Sequence, residues 1–174
     1  MYTRKMSSRF VEMFQAREYI DIKVGALDKI PLRIDAIDPK NDNKKVRLLY
    51  FDIPKFNVRT AESCVRNSDS KHLIVVYRDS ITCFARRVLE IKHGLVTESF
   101  PAKELETNIT RHVLQPLKFV KLSQEEKKNF IDKWGTNFPK MLETDKIARY
   151  FHFVKDDVIE VHRKNGDVIY RIVV

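Results

Sequence analysis

The chain has 174 residues, 43% of them hydrophobic and 33% charged, with a net charge of +9 and a pI near 9.5. This is enough apolar sequence for one or two compact cores, while four glycines and two cysteines argue against a Gly-rich phosphate loop and a disulfide framework. The longest purely apolar run, Leu73–Tyr77, is far below the roughly 20 residues that a membrane-spanning helix needs, so no membrane segment is expected.

The basic excess is spread along the chain, which suits a subunit lying near nucleic acid better than a tight independent binder. Cys64 and Cys83 lack CxxC spacing and read as reduced core thiols of an intracellular protein. The N-terminal residues carry no signal-peptide core.

In chain order, Ser7 or Ser8 predicts the start of a helix running to about Tyr19, with Phe10, Val11, Met13, Phe14 and Ala16 as its apolar stripe. Ile20–Val24 reads as a short strand. Pro31, Asp38-Pro39 and Asn41–Asn43 mark loops and turns. Leu48–Phe51 predicts a buried strand ended by Pro54, and Val58–Arg66 a helix. Leu73–Tyr77 is a continuous apolar strand of the kind found at a sheet centre. Ser80 or Thr82 then caps a helix to about Lys92, stopped by Gly94, and Leu95–Phe100 is a last strand. This alternation predicts a small α/β layer over residues 1–107.

Residues 108–174 form a second predicted domain. Ser123 with Glu126 three residues on makes a capping box, and Phe130, Ile131 and Trp134 share one helix face before Gly135. Pro139 opens an extended segment. Thr144 or Asp145 caps a short helix whose Ile147, Ala148, Tyr150 and Phe151 turn inward. Val158–Arg163 and Val168–Val174 are β-branched runs around Asn165-Gly166, the signal of a two-residue hairpin turn. That register sets Glu160 opposite Arg171, Val161 opposite Tyr170 and Ile159 opposite Ile172.

The order of these pieces resembles the fifth subunit of eukaryotic RNA polymerases and its archaeal counterpart. The residues that carry the resemblance are Asn108-Ile109-Thr110 with His112 and Pro116, Leu122-Ser123 with Glu126, and Pro139 with Asp145, Ala148 and Tyr150. It continues through Asp157-Val158 and Arg163 to Tyr170-Arg171-Ile172-Val173. The chain departs from the pattern at Asp145-Lys146, where the family has Asp-Pro, and at Phe151 and Asp156, where it has glycines. The loop of the final hairpin is also shorter.

In the first half, Tyr77 to Ala85 resembles the family's strand end and Thr-Pro-Ser-Ala turn. Thr82 and Ala85 carry over, and Cys83 and Phe84 replace the proline and serine. The resemblance implies an α+β protein. A small α/β jaw-like domain would be joined to a compact assembly domain with a capped helix and a terminal β-hairpin.

The implied function is that of a non-catalytic subunit of DNA-directed RNA polymerase. Its C-terminal domain would dock on the largest subunit, and its jaw would meet downstream double-stranded DNA through weak phosphate contacts. Nuclear localisation follows, or a cytoplasmic viral factory or virion if a large DNA virus encodes the chain. The short jaw, tight hairpin and lost glycines point that way. The alternative is a free-standing basic DNA-binding or transcription-accessory module. The implied subunit interface is Pro139, Met141, Asp145, Tyr150, Arg163 and Arg171, and the implied nucleic-acid contacts are Thr82, Arg86 and Arg87.

No catalytic residue, metal site or cofactor is expected. His72, His93, His112, His152 and His162 are scattered without ligand spacing. Asp21-Ile22-Lys23 and Glu90-Ile91-Lys92 have the acid-x-Lys form of some nucleases, but such triplets arise by chance at this charge density, and Glu90 falls on a helix.

Overall fold

The computed structural model describes residues 2–27, 30–91 and 94–174, with six helices and eleven strands among them in a mixed α+β arrangement. The chain divides into two compact units, Met1–Thr107 and Asn108–Val174. No helix among the described residues is long and apolar enough to cross a membrane.

The first unit is a five-stranded mixed sheet covered on both faces. Helix α1 (Tyr2–Ala16) starts earlier than the sequence suggests. Ser7 and Ser8 lie inside it and donate their hydroxyls back to the Arg4 carbonyl, at 2.8 and 3.3 Å, instead of capping its end. The strands β1 (Ile20–Val24), β2 (Leu32–Asp38) and β3 (Lys44–Phe51) run antiparallel in turn.

Strand β2 occupies a segment whose prolines and turn residues suggested loop. The alternation of buried Leu32, Ile34 and Ala36 with Arg33 and Asp35 overrides those signals, and Pro31 precedes the strand, where no ladder bond is lost. After the two-residue β4 (Lys55–Phe56) comes α2 (Val58–Arg66), capped by Asn57. Then β5 (His72–Tyr77), all six residues buried, pairs parallel with β3 in the sheet interior as expected.

Strand β6 (Ser80–Ile81) pairs with β4. Helix α3 (Cys83–Ile91) follows, then β7 (Val96–Pro101) on the far edge and the short α4 (Ala102–Leu105). Lys92, the expected end of α3, and His93 lie outside the described residues.

Side-chain period decides the two layers of core. On one face Phe10 of α1 packs against Tyr50 at 5.5 Å. On the other, Phe51, Leu73, Val75 and Tyr77 meet Ala61, Cys64 and Val65 of α2 with Ala85 and Leu89 of α3. A buried ion pair, which the sequence did not reveal, ties the chain just past α1 to β7. Arg17 donates to both Glu98 carboxylate oxygens at 2.6 and 2.9 Å, and His72 Nε2 lies 2.7 Å from one of them. Burial opposes the Arg17 charge, yet Glu98 more than offsets it and the pKa is raised.

The second unit opens with a 3-10 turn, Ile109–Arg111, capped by Asn108, whose side chain accepts from the Thr110 N–H at 3.0 Å. Its four-stranded sheet has the order β8 (Lys118–Lys121), β10 (Val158–His162), β11 (Val168–Val173), β9 (Lys140–Met141). Helix α5 (Gln124–Trp134) carries the expected capping box between Ser123 and Glu126 and stops at Gly135, φ +74°. Phe130 packs against Tyr170 with ring centroids 4.3 Å apart and planes tilted by 36°, but Trp134 is 61% exposed and lies under the Lys133 ammonium, so it does not join the apolar face assigned to it.

Helix α6 (Lys146–Phe151) is capped by Asp145. It packs Ile147 and Ala148 with Met141, Phe153, Ile159, Val161 and Val173 into the core of this unit. Asp156, standing where the resembled family has a glycine, keeps a left-handed backbone at φ +69°.

The hairpin departs from its predicted register by one residue. Glu160 faces Tyr170, Ile159 faces Arg171 and Val161 faces Ile169. Within the loop only Gly166 takes a positive φ, +89°, and its N–H donates to the Arg163 carbonyl at 3.1 Å. Arg163 N–H in turn donates to Asp167 O at 2.8 Å. This is a three-residue loop with a glycine bulge, not a two-residue turn with both residues at positive φ. A one-residue slip moves every side chain to the opposite face, so Arg171 shares a face with Ile159 and Val161 instead of with Glu160.

Candidate docking groove

The corrected register brings separated residues of the second unit around one groove of about 790 Å³. Its apolar floor consists of buried Met141, Ile147 and Val161 with half-buried Ile109, Phe119 and Ile169. The Asn108 cap turns Ile109 into this floor, and the β8–β10 pairing sets Phe119 opposite Val161. Val113 and Leu114, 73% and 84% exposed, flank the opening. The Lys164 ammonium donates to the Val113 carbonyl and ties their loop to the hairpin.

Cations dominate the rim: Lys146, Arg163, Lys164 and Arg171 against the single acid Asp145. The Asp145 carboxylate already accepts the Ile147 N–H at 2.7 Å as the α6 cap. Arg171 is half-buried, and its Nε is buried without an acceptor among the described residues.

Four of the six positions expected at a subunit interface, Met141, Asp145, Arg163 and Arg171, line this groove. Pro139 and Tyr150 do not. Pro139 is exposed, and its carbonyl accepts the Ile172 N–H at 3.1 Å. Tyr150 is buried and sets its ring edge-on to Phe151 at 5.4 Å. Sequence reasoning missed Lys146, Lys164 and the apolar floor. The alternation of Val161, Ile169 and Arg171 carried that signal, hidden by the assumed register.

In the first unit, Thr82 accepts the Ala85 N–H at 3.2 Å and so caps α3, while Arg86 and Arg87 are exposed and form no ion pair among the described residues. Two other cations, Arg47 and Lys121, are engaged within the fold. Arg47 is buried between Asp35, at 2.7 Å, and Asp69, and Lys121 pairs with Asp157 at 2.9 Å. Cys83, expected in a core, is exposed at the start of α3. Asp21 and Lys23 pair with each other at 2.9 Å on the edge strand.

Residues 107–173 match the family described as RNA polymerase Rpb5, C-terminal domain. Among similar proteins, a DNA-directed RNA polymerase subunit of Invertebrate iridescent virus 6 is 32% identical, over 93% of this chain and 94% of its own length. DNA-directed RNA polymerase V subunit 5A of Arabidopsis thaliana is 30% identical over 75% of this chain and 61% of its own length. The subunit RPABC1 of RNA polymerases I, II and III of Caenorhabditis elegans is 24% identical over 94% and 85%. With a near-full-length relative at this identity and the groove-bearing unit matched over all but its last residue, the chain belongs to the Rpb5 family of DNA-directed RNA polymerase subunits.

Proposed function

We propose that the chain is a non-catalytic subunit that docks through the groove of residues 108–174 onto the largest polymerase subunit. Residues 1–107 then lie as a jaw beside the incoming duplex. The observation that carries this reading is the convergence of Met141, Asp145, Arg163 and Arg171 on one concave surface with an apolar floor and a cationic rim. An apolar centre ringed by polar groups is the anatomy of a specific protein interface. Catalysis resides in the partner subunits, and the self-paired, exposed Asp21 and Lys23 support no nuclease role here.

The jaw contact falls to Thr82, Arg86 and Arg87. Arginines and helix starts grip phosphate, which carries no base information, so this contact is weak, salt-dependent and blind to sequence. The near-full-length iridovirus relative favours a virus-encoded polymerase, assembled in a cytoplasmic factory or packaged in the virion. A cellular member would be nuclear.

Charge reversal at Arg163 tests the docking. The Arg163→Glu variant should bind a polymerase core lacking this subunit at least about tenfold more weakly while melting like the parent. Equal loss of folding and binding would return Arg163 to the fold. For the jaw, the Arg86→Glu, Arg87→Glu pair should destabilise elongation complexes with assembly intact. An unchanged hold on the downstream duplex would refute the assignment.

A further inference from the structure

The groove sets two demands that one partner chemistry has to meet together. Its floor offers aliphatic and aromatic surface, while its rim carries an uncompensated positive excess. Lys146, Arg163 and Arg171 have no ion-pair partner among the described residues, and the one lining acid, Asp145, is occupied as a helix cap.

A purely apolar occupant would cover the floor and leave the rim cations without a counter-charge. Nucleic acid would neutralise the rim but lay a charged backbone across apolar side chains. Arginine's planar fork matches a carboxylate through two parallel N–H donors, and a polypeptide can place an apolar side chain beside that carboxylate.

Building on the docking reading, we propose that the groove receives a Glu or Asp side chain of the partner polypeptide. Arg171 grips its carboxylate, Arg163 stands alongside, and a neighbouring apolar residue of the partner packs against Phe119, Met141 and Val161. The exposed Val113 and Leu114 then close over the segment.

The assembled polymerase carries its own probe, because Lys146 and Lys164 place amines in the same groove. Treatment with a water-soluble carbodiimide joins amines to carboxylates in contact, and mass spectrometry reads the products. The expected result is a link from Lys146, Lys164 or the amine of an Arg171→Lys variant to an Asp or Glu next to an apolar residue in the largest subunit. A link to such an acid in another subunit upholds the carboxylate and overturns the docking partner. No link from any of these amines in an assembled enzyme overturns the carboxylate.

Binding to a core lacking this subunit provides a second reading. Arg171→Gln should weaken it about 10–100-fold, the loss of a charge-assisted hydrogen bond, with an unchanged melting temperature. If Leu114→Asp weakens binding and Arg171→Gln does not, the groove docks but holds no carboxylate. If both variants bind like the parent, docking lies elsewhere. Release of the chain from the enzyme by nuclease would assign the cations to phosphate and refute the proposal.

Discussion

Replacing Gly166 with alanine isolates the backbone cost of the turn on which the groove depends. Gly166 sits at φ +89°, and a Cβ built there meets no atom within 4 Å, so the substitution introduces no clash. An L-residue in the left-handed region costs about 1–2 kcal/mol, and alanine returns about 0.4–1 kcal/mol by restricting the unfolded chain. The mid-values leave a net loss of about 0.8 kcal/mol. In a unit of this size each 1 kcal/mol moves the melting temperature by about 4–8 °C, so scanning calorimetry should record a fall of roughly 3–6 °C.

Asn165 supplies the control. Its backbone is not left-handed, and its side chain accepts the Asp167 N–H at 3.2 Å. Asn165→Gly should therefore also destabilise, through the lost hydrogen bond and added chain entropy. In a two-residue turn, with Asn165 itself at positive φ, the same change would be neutral or stabilising. A Gly166→Ala protein that melts like the parent, or an Asn165→Gly protein that melts higher, would refute the three-residue loop. The register that turns Arg171 into the groove would fall with it.

Other expectations are independent of that turn. Residues 108–174, which enclose their own core of Met141, Ile147, Ala148, Ile159 and Val161, should fold alone. Dispersed amide resonances and a cooperative melt would confirm this, whereas a collapsed spectrum would contradict it. Trp134, 61% exposed, makes a poor fluorescence reporter for the purpose. Burial pushes the Cys64 thiol up to about 11 while Cys83 is exposed, so a thiol reagent near neutral pH should modify one cysteine in the native protein and both in denaturant. The Ser123 N–H and then its hydroxyl hold the Glu126 carboxyl below its usual range. A depressed carboxyl pKa stabilises above the unfolded value and ceases to as pH falls through the folded one. Denaturant melts should therefore show an acid-side loss that Glu126→Gln lacks.

Local signals were legible wherever one physical rule dominated. The helix Val58–Arg66, the Ser123–Glu126 capping box, a cap at Thr144 or Asp145 and the buried run Leu73–Tyr77 were all readable from residue type and spacing, while the Asn57 cap was not read. Strand β2 was lost because Pro31 and the turn-forming residues near Asp38 masked a period-two pattern of only three inward residues. The hairpin was placed, but Asn-Gly is compatible with two loop lengths, and only the cross-strand packing of Ile159, Val161 and Ile169 selects the longer one. Helical spacing places Trp134 with Phe130 and Ile131, yet no residue of this helix is fully buried and Trp134 at its end is 61% exposed. The Arg17–Glu98 pair joins residues 81 positions apart, beyond any local pattern. Of the candidate site, Met141, Asp145, Arg163 and Arg171 were readable through resemblance. The floor and the remaining cations required the fold.

The most direct test of the central claim is the stoichiometry of what co-purifies with this chain. The full-length protein, tagged at its N-terminus to keep the groove-bearing unit clear, would be captured from the cells or infected cells that express it. Its partners would then be quantified by mass spectrometry. The account predicts the large subunits of a DNA-directed RNA polymerase in equimolar amount, and their loss from the Arg163→Glu protein. Recovery of the folded chain alone, or with DNA that nuclease removes, would contradict it and favour a free-standing basic DNA-binding module.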